Sequence, residues 1–259
     1  MSDTSKFGSR MARKNNTGGA GETIRTLLYA VGIALVIRTL AFEPFSVPSE
    51  SMLPTLLVGD YFFISKWPYG YSRYSLPFGP PVFSGRILGK QPQRGDVIVF
   101  QRSHDPNDSS DYVKRLIGLP GDRIQMRGGN LYVNDDLVKR EPVDPASLTP
   151  EEQEVARGTM VYRETMSNGV TYLTLDRGVT PQDSTPVYTV PEGRYFMMGD
   201  NRDNSHDSRF PDFGTPPFDG LEGRAGVIFF SVDGAAHLWE FWKWPYSIRF
   251  GRMMEFNEL

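Results

Sequence analysis

The 259-residue sequence predicts a mainly β fold, built from antiparallel sheets and preceded by one N-terminal helix. Two observations support this fold class. Beyond Pro44 the chain consists of short runs of strand-forming residues separated by Gly, Pro and Asp, the pattern of strands joined by turns. Before Pro44 a single apolar run is long enough for a helix. With 39% hydrophobic residues, the chain can also bury a substantial core.

The apolar run covers residues 24–42 (IRTLLYAVGIALVIRTLAF) and contains Arg25 and Arg38. Nineteen helical residues extend about 28 Å, close to the thickness of the hydrocarbon core of a bilayer. A buried core helix and a cleavable secretory signal are the alternatives, because the uncharged stretch 26–37 is short. The bulky residues at its end, 42–45, do not resemble a cleavage point, and Arg38 can extend toward headgroups. We predict an uncleaved transmembrane signal-anchor helix.

Charge is distributed unevenly on the two sides of this run. Residues 1–25 carry a net charge of about +3, whereas the chain after residue 38 carries about −7. Since basic residues favour the cytoplasmic side, we predict a basic cytoplasmic tail at 1–23 and an extracytoplasmic domain at 43–259. The basic cluster is too short and too mixed for nucleic-acid binding, so the predicted partner is the lipid bilayer and not a nucleic acid.

Strand patterns punctuate the rest of the chain, at 95–100, 111–122, 130–134, 171–175, 194–200 and 226–232. The region 123–192 is the least regular, and we interpret it as a smaller β subdomain inserted into the main sheet. Within it, residues 142–158 (PVDPASLTPEEQEVARG) are expected to form an exposed loop. Aromatic residues cluster at 61–78 and 238–246, which suits a membrane interface and also a packed core.

The residue composition argues against metal and disulfide chemistry. The chain has no cysteine, so it can form neither a disulfide nor a thiolate zinc site. The three histidines, His104, His206 and His237, lack the spacing of metal ligands. We therefore predict no metal and no cofactor.

The segment PSESMLPTL at 48–56 places two serines just after the apolar run, with no histidine nearby. A serine nucleophile needs a group that accepts its proton. A triad of Ser51, His206 and Asp207 is one arrangement, although adjacent side chains rarely take the nested order of a triad. A lysine whose pKa is lowered by burial is another. In an extended strand Lys114 would face an apolar side while Arg115 faces the opposite way, unless Lys114 is simply exposed.

These motifs resemble, in order, the conserved boxes of bacterial type I signal peptidases, also called leader peptidases. The similar segments are PSESMLPTL, GD at 59–60, RGDVIVF at 94–100, YVKRLIGLPGD at 112–122 and GDNRDNSHDSR at 199–209. The resemblance extends from the apolar helix to about Phe230. It implies an antiparallel β catalytic region of the signal-peptidase type in a single-pass protein of the bacterial inner membrane, with the catalytic domain in the periplasm.

The resemblance also implies a Ser-Lys dyad. In it, Ser51 is the nucleophile and Lys114 is the general base. Ser49 would join the backbone N–H of the nucleophile in an oxyanion hole. Ser205 would hydrogen-bond the lysine amine and orient it.

Further roles come from the same resemblance. Two ion pairs would support the site, formed by Asp200 with Arg115 and by Asp207 with Arg209. The implied substrate pocket is lined by Phe45, Val47, Met52, Leu56, Tyr112 and Val113.

The implied substrates are exported preproteins, cut after a small-x-small (Ala-x-Ala) sequence while bound as an added β-strand. The rival interpretations are a conjugation-pilus maturation peptidase, a self-cleaving Ser-Lys repressor-type protease, and an inactive membrane-tethered β module that binds export partners. His206 and Glu50 depart from the family pattern, in which we expect small residues at both positions.

Overall fold

The computed structural model describes residues 19–76, 80, 84–102, 110–233 and 240–253. The chain divides after Val36 into two compact units. Most of the predicted basic tail, as well as His104 and His237, lies outside the described residues.

Helix α1 spans Gly19–Leu40, and most of it belongs to the first unit. Residues 21–40 have a mean hydropathy of 1.5 and none of them is buried, so the helix is long and apolar enough to cross a membrane. The helix begins and ends earlier than the apolar run 24–42. Glu22 lies in its first turn, where a carboxylate interacts favourably with the helix dipole. Phe42 is already paired in a strand, and the next residue, Glu43, is kept out of a helix by Pro44.

The described part of the second unit is mainly antiparallel β structure, as predicted. Its strands are β1 (Phe42–Ser46), β2 (Asp60–Ser65), β3 (Val97–Gln101), β4 (Asp111–Gly118), β5 (Arg123–Arg127), β6 (Asn130–Val133), β7 (Asp136–Leu137), β8 (Lys139–Pro142), β9 (Met160–Thr165), β10 (Thr171–Asp176), β11 (Tyr188–Thr189), β12 (Phe196–Met198) and β13 (Leu221–Ser231). Two short helices accompany them, α2 (Pro150–Val155) and α3 (Trp244–Ser247).

The main sheet has six strands in the order β1-β2-β13-β3-β4-β12 and is antiparallel throughout. Hydrophobic clusters pack on both of its faces. Because successive strand residues face opposite sides, Val97 and Val99 of β3 pack in one cluster while Ile98 and Phe100 pack in the other. This two-sided burial accounts for the nearly continuous apolar run in the sequence of β3.

The irregular region contributes two smaller sheets, with strand orders β10-β9-β8 and β11-β5-β6-β7. Both belong to the same compact unit as the main sheet. A separate subdomain with bounds 123–192 therefore stays a prediction.

The expected exposed loop at 142–158 is wrong in part, because helix α2 lies within it. Thr149 caps this helix: its Oγ1 accepts a hydrogen bond from Glu152 N at 3.2 Å, and Glu152 Oε2 accepts one from Thr149 N at 2.9 Å. Pro150 occupies the first helical position, where its missing N–H is not needed. The four residues TPEE already carried this capping signal.

The aromatic clusters separate into buried and exposed members. Phe62 and Tyr69 are in the core, whereas Trp67, Trp242 and Tyr246 are exposed. Residues 77–78 and 238–239 of the two clusters lie outside the described ranges. Core packing and surface exposure therefore apply to different residues of the same clusters.

Candidate active site

Ser51 lies in a short 3-10 turn, Glu50–Met52, that follows β1. Met52, the last residue of this turn, and Leu56, four residues later, are fully buried and fix the segment against the main sheet. Ser51 is buried as well, and its carbonyl oxygen accepts a hydrogen bond from Asn201 N at 3.1 Å. The turn thus places the Ser51 hydroxyl at a defined point beside β4.

Lys114 of β4 extends to this hydroxyl. Its Nζ lies 2.5 Å from Ser51 Oγ and donates to the carbonyl oxygen of Val113 at 3.1 Å. The side chain is 4% exposed, and burial lowers the pKa of Lys114 to about 8, against the opposing effect of Asp207 and Asp200. A neutral amine is therefore accessible near physiological pH, in direct contact with a serine hydroxyl.

The other two predicted serines lie near this contact. Ser49 is exposed and its Oγ is 3.3 Å from Ser51 Oγ, a position from which a hydroxyl can contribute to an oxyanion site. Ser205 is buried, but its Oγ makes no hydrogen bond to the lysine amine. In this structure the Val113 carbonyl, rather than Ser205, holds the amine.

Arg115 and Asp200 form the first supporting ion pair. Their two hydrogen bonds measure 2.9 Å (Nε to Oδ1) and 2.7 Å (Nη2 to Oδ2), and both side chains are almost fully buried. Burial alone would lower the pKa of Arg115, but Asp200 reverses the effect and raises it. Thr55 Oγ1 also donates to Asp200 Oδ2 at 2.6 Å, which ties the pair to the segment that carries Ser51.

Asp207 and Arg209 form the second pair, with hydrogen bonds of 2.8 Å and 2.9 Å. Burial would raise the pKa of Asp207, but Arg209 and the backbone N–H of Gly199 outweigh it and lower the pKa. Each carboxylate near Lys114 therefore has its own arginine. This leaves burial as the dominant influence on the amine.

The structure does not assemble the alternative triad. His206 is exposed, its Nε2 lies 3.0 Å from Asp212 Oδ2, and its ring packs against Phe210 and Phe213. Asp207 pairs with Arg209 instead. The hydroxyl of Ser51 has Lys114, not an imidazole, as its partner.

Five of the six predicted pocket residues share one hydrophobic cluster, on one face of the main sheet. They are Phe45, Val47, Met52, Leu56 and Val113. Tyr112 is the exception, because it precedes Val113 in β4 and packs on the opposite face. Within the cluster, Phe45 and Val113 are half-buried and the other three are buried.

Comparison with known proteins decides the family. The model of the family described as signal peptidase, peptidase S26, matches residues 20–230. The chain belongs to this family. Signal peptidase I of Rickettsia canadensis is 42% identical over 230 residues, covering 85% of this chain and 83% of that protein. Signal peptidase I of Rickettsia typhi is 44% identical over 214 residues, covering 79% of this chain and 78% of that protein.

A crystal structure of a signal peptidase I from Enterococcus faecalis is 29% identical and covers 52% of this chain and 97% of that chain, with a TM-score of 0.31. Membership in the signal peptidase family makes the chain a type I signal peptidase, a serine peptidase that removes signal peptides. The family is membrane-anchored, which is consistent with the apolar helix α1.

Several residues of this signal peptidase site were missed by the sequence reasoning. Thr55 and Asn201 lie inside the motifs at 48–56 and 199–209, and their position in these motifs could have indicated that they belong to the site. Glu164 and Tyr172 lie in the irregular region and carry no motif of their own. Among the described residues, no group of three or more His, Asp or Glu side chains is arranged to hold a metal ion.

Proposed function

We propose that the chain is a membrane-anchored serine endopeptidase that removes signal peptides from exported preproteins after a small-x-small (Ala-x-Ala) site, with Ser51 as nucleophile and neutral Lys114 as general base. The observation that carries this proposal is the 2.5 Å contact between the buried amine and the serine hydroxyl. Family membership supports the substrate class.

In the first half of the reaction, the neutral Lys114 amine accepts the Ser51 hydroxyl proton as Oγ attacks the scissile carbonyl carbon. The backbone N–H of Ser51 and the hydroxyl of Ser49 stabilise the oxyanion of the tetrahedral intermediate. The Lys114 ammonium then protonates the leaving nitrogen, and the C–N bond breaks. The mature protein departs with a free amino terminus, and the signal peptide stays bound to Ser51 as an ester.

In the second half, the Lys114 amine accepts a proton from water while the water oxygen attacks the ester carbonyl. The second tetrahedral intermediate uses the same oxyanion donors. Collapse returns the proton from Lys114 to Ser51 Oγ and releases the signal peptide as a carboxylic acid, which ionises. Both halves require Lys114 to be neutral at their start.

Substrate selection follows from the surface next to the dyad. Phe45 and Val113 are half-buried, above a floor formed by the buried Val47, Met52 and Leu56. Over a floor that is already filled we expect shallow depressions, which would accommodate alanine better than larger residues. Because β1 is an edge strand of the main sheet, an extended substrate can add to it through backbone hydrogen bonds.

Membrane anchoring is supported by helix α1, by the basic residues that precede it and by the exposed aromatic side chains of Trp67, Trp242 and Tyr246. The proposed topology is single-pass in the bacterial inner membrane, with residues 1–23 in the cytoplasm and the catalytic domain in the periplasm. Protease treatment of spheroplasts should degrade the chain after Phe45. Protection of the whole C-terminal part would reverse this orientation.

The chemical test uses the full chain in detergent and a synthetic preprotein with an Ala-x-Ala site. We expect cleavage by the wild type and by His206→Ala, and none by Ser51→Ala or Lys114→Met, the latter keeping the length of the side chain without its amine. Cleavage by Lys114→Met would remove the lysine from the mechanism. Failure of a folded wild type to cleave, with stable binding of the preprotein, would favour the binding-module interpretation.

A further inference from the structure

A third buried ion pair lies behind the proposed dyad and takes no part in the reaction steps above. Arg202 donates to Glu164 through two hydrogen bonds, Nη1 to Oε1 at 2.7 Å and Nη2 to Oε2 at 2.6 Å. The side chains are 4% and 1% exposed. Removing one partner of such a pair leaves an uncompensated buried charge. Glu164 belongs to β9, so this pair holds the β9–β10 hairpin against the loop that carries Asp200 and Ser205.

Tyr172 of β10 links this pair to the active-site arginine. It lies directly opposite Glu164 in the hairpin, and its hydroxyl donates to Glu164 Oε2 at 2.8 Å. Burial, followed by the charge of Glu164, raises the pKa of Tyr172 well above its usual value, so the hydroxyl remains a donor. The guanidinium carbon of Arg115 lies 4.2 Å from the centre of the Tyr172 ring. One side chain therefore contacts both ion pairs.

The backbone makes a parallel connection. Leu175 N, in the same hairpin, donates to the carbonyl oxygen of Asp200 at 2.9 Å. The next residue, Asn201, donates through its backbone N to Ser51 O at 3.1 Å and through its side-chain Nδ2 to Glu50 O at 3.0 Å. Continuous hydrogen bonds thus run from β10 to the main chain of the nucleophile.

Charge adds a second effect. Glu164 neutralises Arg202, in the same way that Asp200 neutralises Arg115 and Asp207 neutralises Arg209. Without the Glu164 carboxylate, the guanidinium of Arg202 would keep its charge and compete with Arg115 for Asp200. Asp200, whose charge favours the protonated form of Lys114, would then be offset by two guanidinium groups, and this would disfavour protonated Lys114.

From these contacts we propose that the β9–β10 hairpin positions the catalytic residues, and that Glu164 and Tyr172 are the positioning residues through which it acts. The proposal rests on the function proposed above and gives the irregular region a role in that reaction. Both residues are buried, and they act through Arg202, Arg115 and the 199–209 loop, which hydrogen-bonds the main chain of Ser51.

The test is a measurement of kcat and KM from pH 6 to 9.5 for the full chain in detergent, with a preprotein substrate. We expect Glu164→Gln to lower kcat by about tenfold to a hundredfold, with KM changed by less than about twofold, since misplacement by about 1 Å has effects of this size. The acidic limb of its pH profile should move to lower pH. Glu164→Asp, which keeps the charge, should restore the position of that limb.

Two substitutions separate the contacts of Tyr172. Tyr172→Phe keeps the ring on Arg115 and loses only the hydrogen bond, so we expect a smaller loss of kcat than for Tyr172→Leu, which loses both. The matched control is Glu141→Gln, which removes an exposed carboxylate of the same small sheet and should leave kcat and the pH profile unchanged.

Thermal unfolding of each variant shows whether it is folded. Wild-type kcat and an unmoved acidic limb in folded Glu164→Gln would overturn the proposal. A purely structural role would give a different combination: Glu164→Gln would lose activity with an unmoved acidic limb, and the two Tyr172 variants would lose equal activity. That combination would also overturn the proposal. If Glu164→Gln does not fold, the kcat values of the two Tyr172 variants decide: a smaller loss for Tyr172→Phe than for Tyr172→Leu supports the proposal, and equal losses overturn it. Failure of the proposed function is distinct, because it would appear as activity of Ser51→Ala or as an inactive wild type.

Discussion

The pH dependence of cleavage tests the proposed base directly. With a pKa of about 8 for Lys114, the neutral fraction is about 1% at pH 6, about 9% at pH 7, half at pH 8 and about 91% at pH 9. If the neutral amine is required, the single-turnover rate should rise about tenfold from pH 6 to 7, about fivefold from 7 to 8, and less than twofold from 8 to 9.

The assay is single-turnover cleavage of a labelled preprotein by excess full-length enzyme in detergent, followed on gels at each pH. Single-turnover conditions are chosen because release of the product can otherwise hide the chemical step. Recovery of activity after a return to pH 8 shows that the enzyme survives each condition.

Two results would refute this reasoning. A midpoint near 6.5 would indicate an imidazole base, since that is where histidine titrates in model peptides. A midpoint near 10.4 would mean that Lys114 titrates like an exposed lysine, and that its burial does not control the reaction. His206→Ala should keep the wild-type midpoint, and a midpoint that moves in this variant would bring the histidine back into the mechanism.

Three more substitutions give clear expectations. Gly199→Ala should lose nearly all activity, because a methyl group at 199 would overlap the Ser51 carbonyl oxygen, whereas Gly251→Ala, at an exposed position with room for a methyl group, should not; cleavage rates decide, and an active Gly199→Ala would contradict the packing. Lys114→Met should stabilise the fold by about 3 kcal/mol below pH 8 in thermal unfolding, since a pKa lowered on folding disfavours the charged form, and the gain should vanish as pH rises toward 10.4. Glu50→Gly should change kcat/KM by less than about threefold, because Glu50 is exposed and its ion pair with Arg177 is worth little; a larger loss would give Glu50 a role in the site.

Much of the fold could be predicted from local sequence patterns. Each of the six segments with a strand pattern contains a strand, because alternation and turn residues act over a few positions. Helix α2 was overlooked although its capping box was present, since the prolines of that region favoured a loop. The end of α1 was misplaced because an apolar residue such as Phe42 fits a strand as well as a helix.

The site could be predicted as far as its motifs reach. Resemblance brought together the two predicted ion pairs and the contact of Lys114 with Ser51, all of which the structure places within hydrogen-bond distance. It could not fix side-chain direction. Tyr112 faces away from the other pocket residues, and the hydroxyl of Ser205 does not bind the amine.

Glu164 shows why the remainder was out of reach. A glutamate in a polar, irregular region has the sequence signature of an exposed residue, and its partner Arg202 lies 38 positions later. Burial of the pair is decided by how β9 and β10 pack on the catalytic loop, which no local pattern encodes. Its identification therefore depended on the three-dimensional contacts.

The burial that would make Lys114 a usable base in the proposed mechanism also explains why the charges around it are paired. Lowering the pKa of a lysine requires a site with little water, and in such a site each neighbouring carboxylate would restore the charged form unless it were neutralised. Arg115 and Arg209 neutralise the two carboxylates, but their own charges must then be held in place. The ring of Tyr172 covers Arg115, and Glu164 neutralises a third arginine, Arg202. The proposed lysine base would thus depend on a surrounding layer of paired charges, and the β9–β10 hairpin supplies part of that layer.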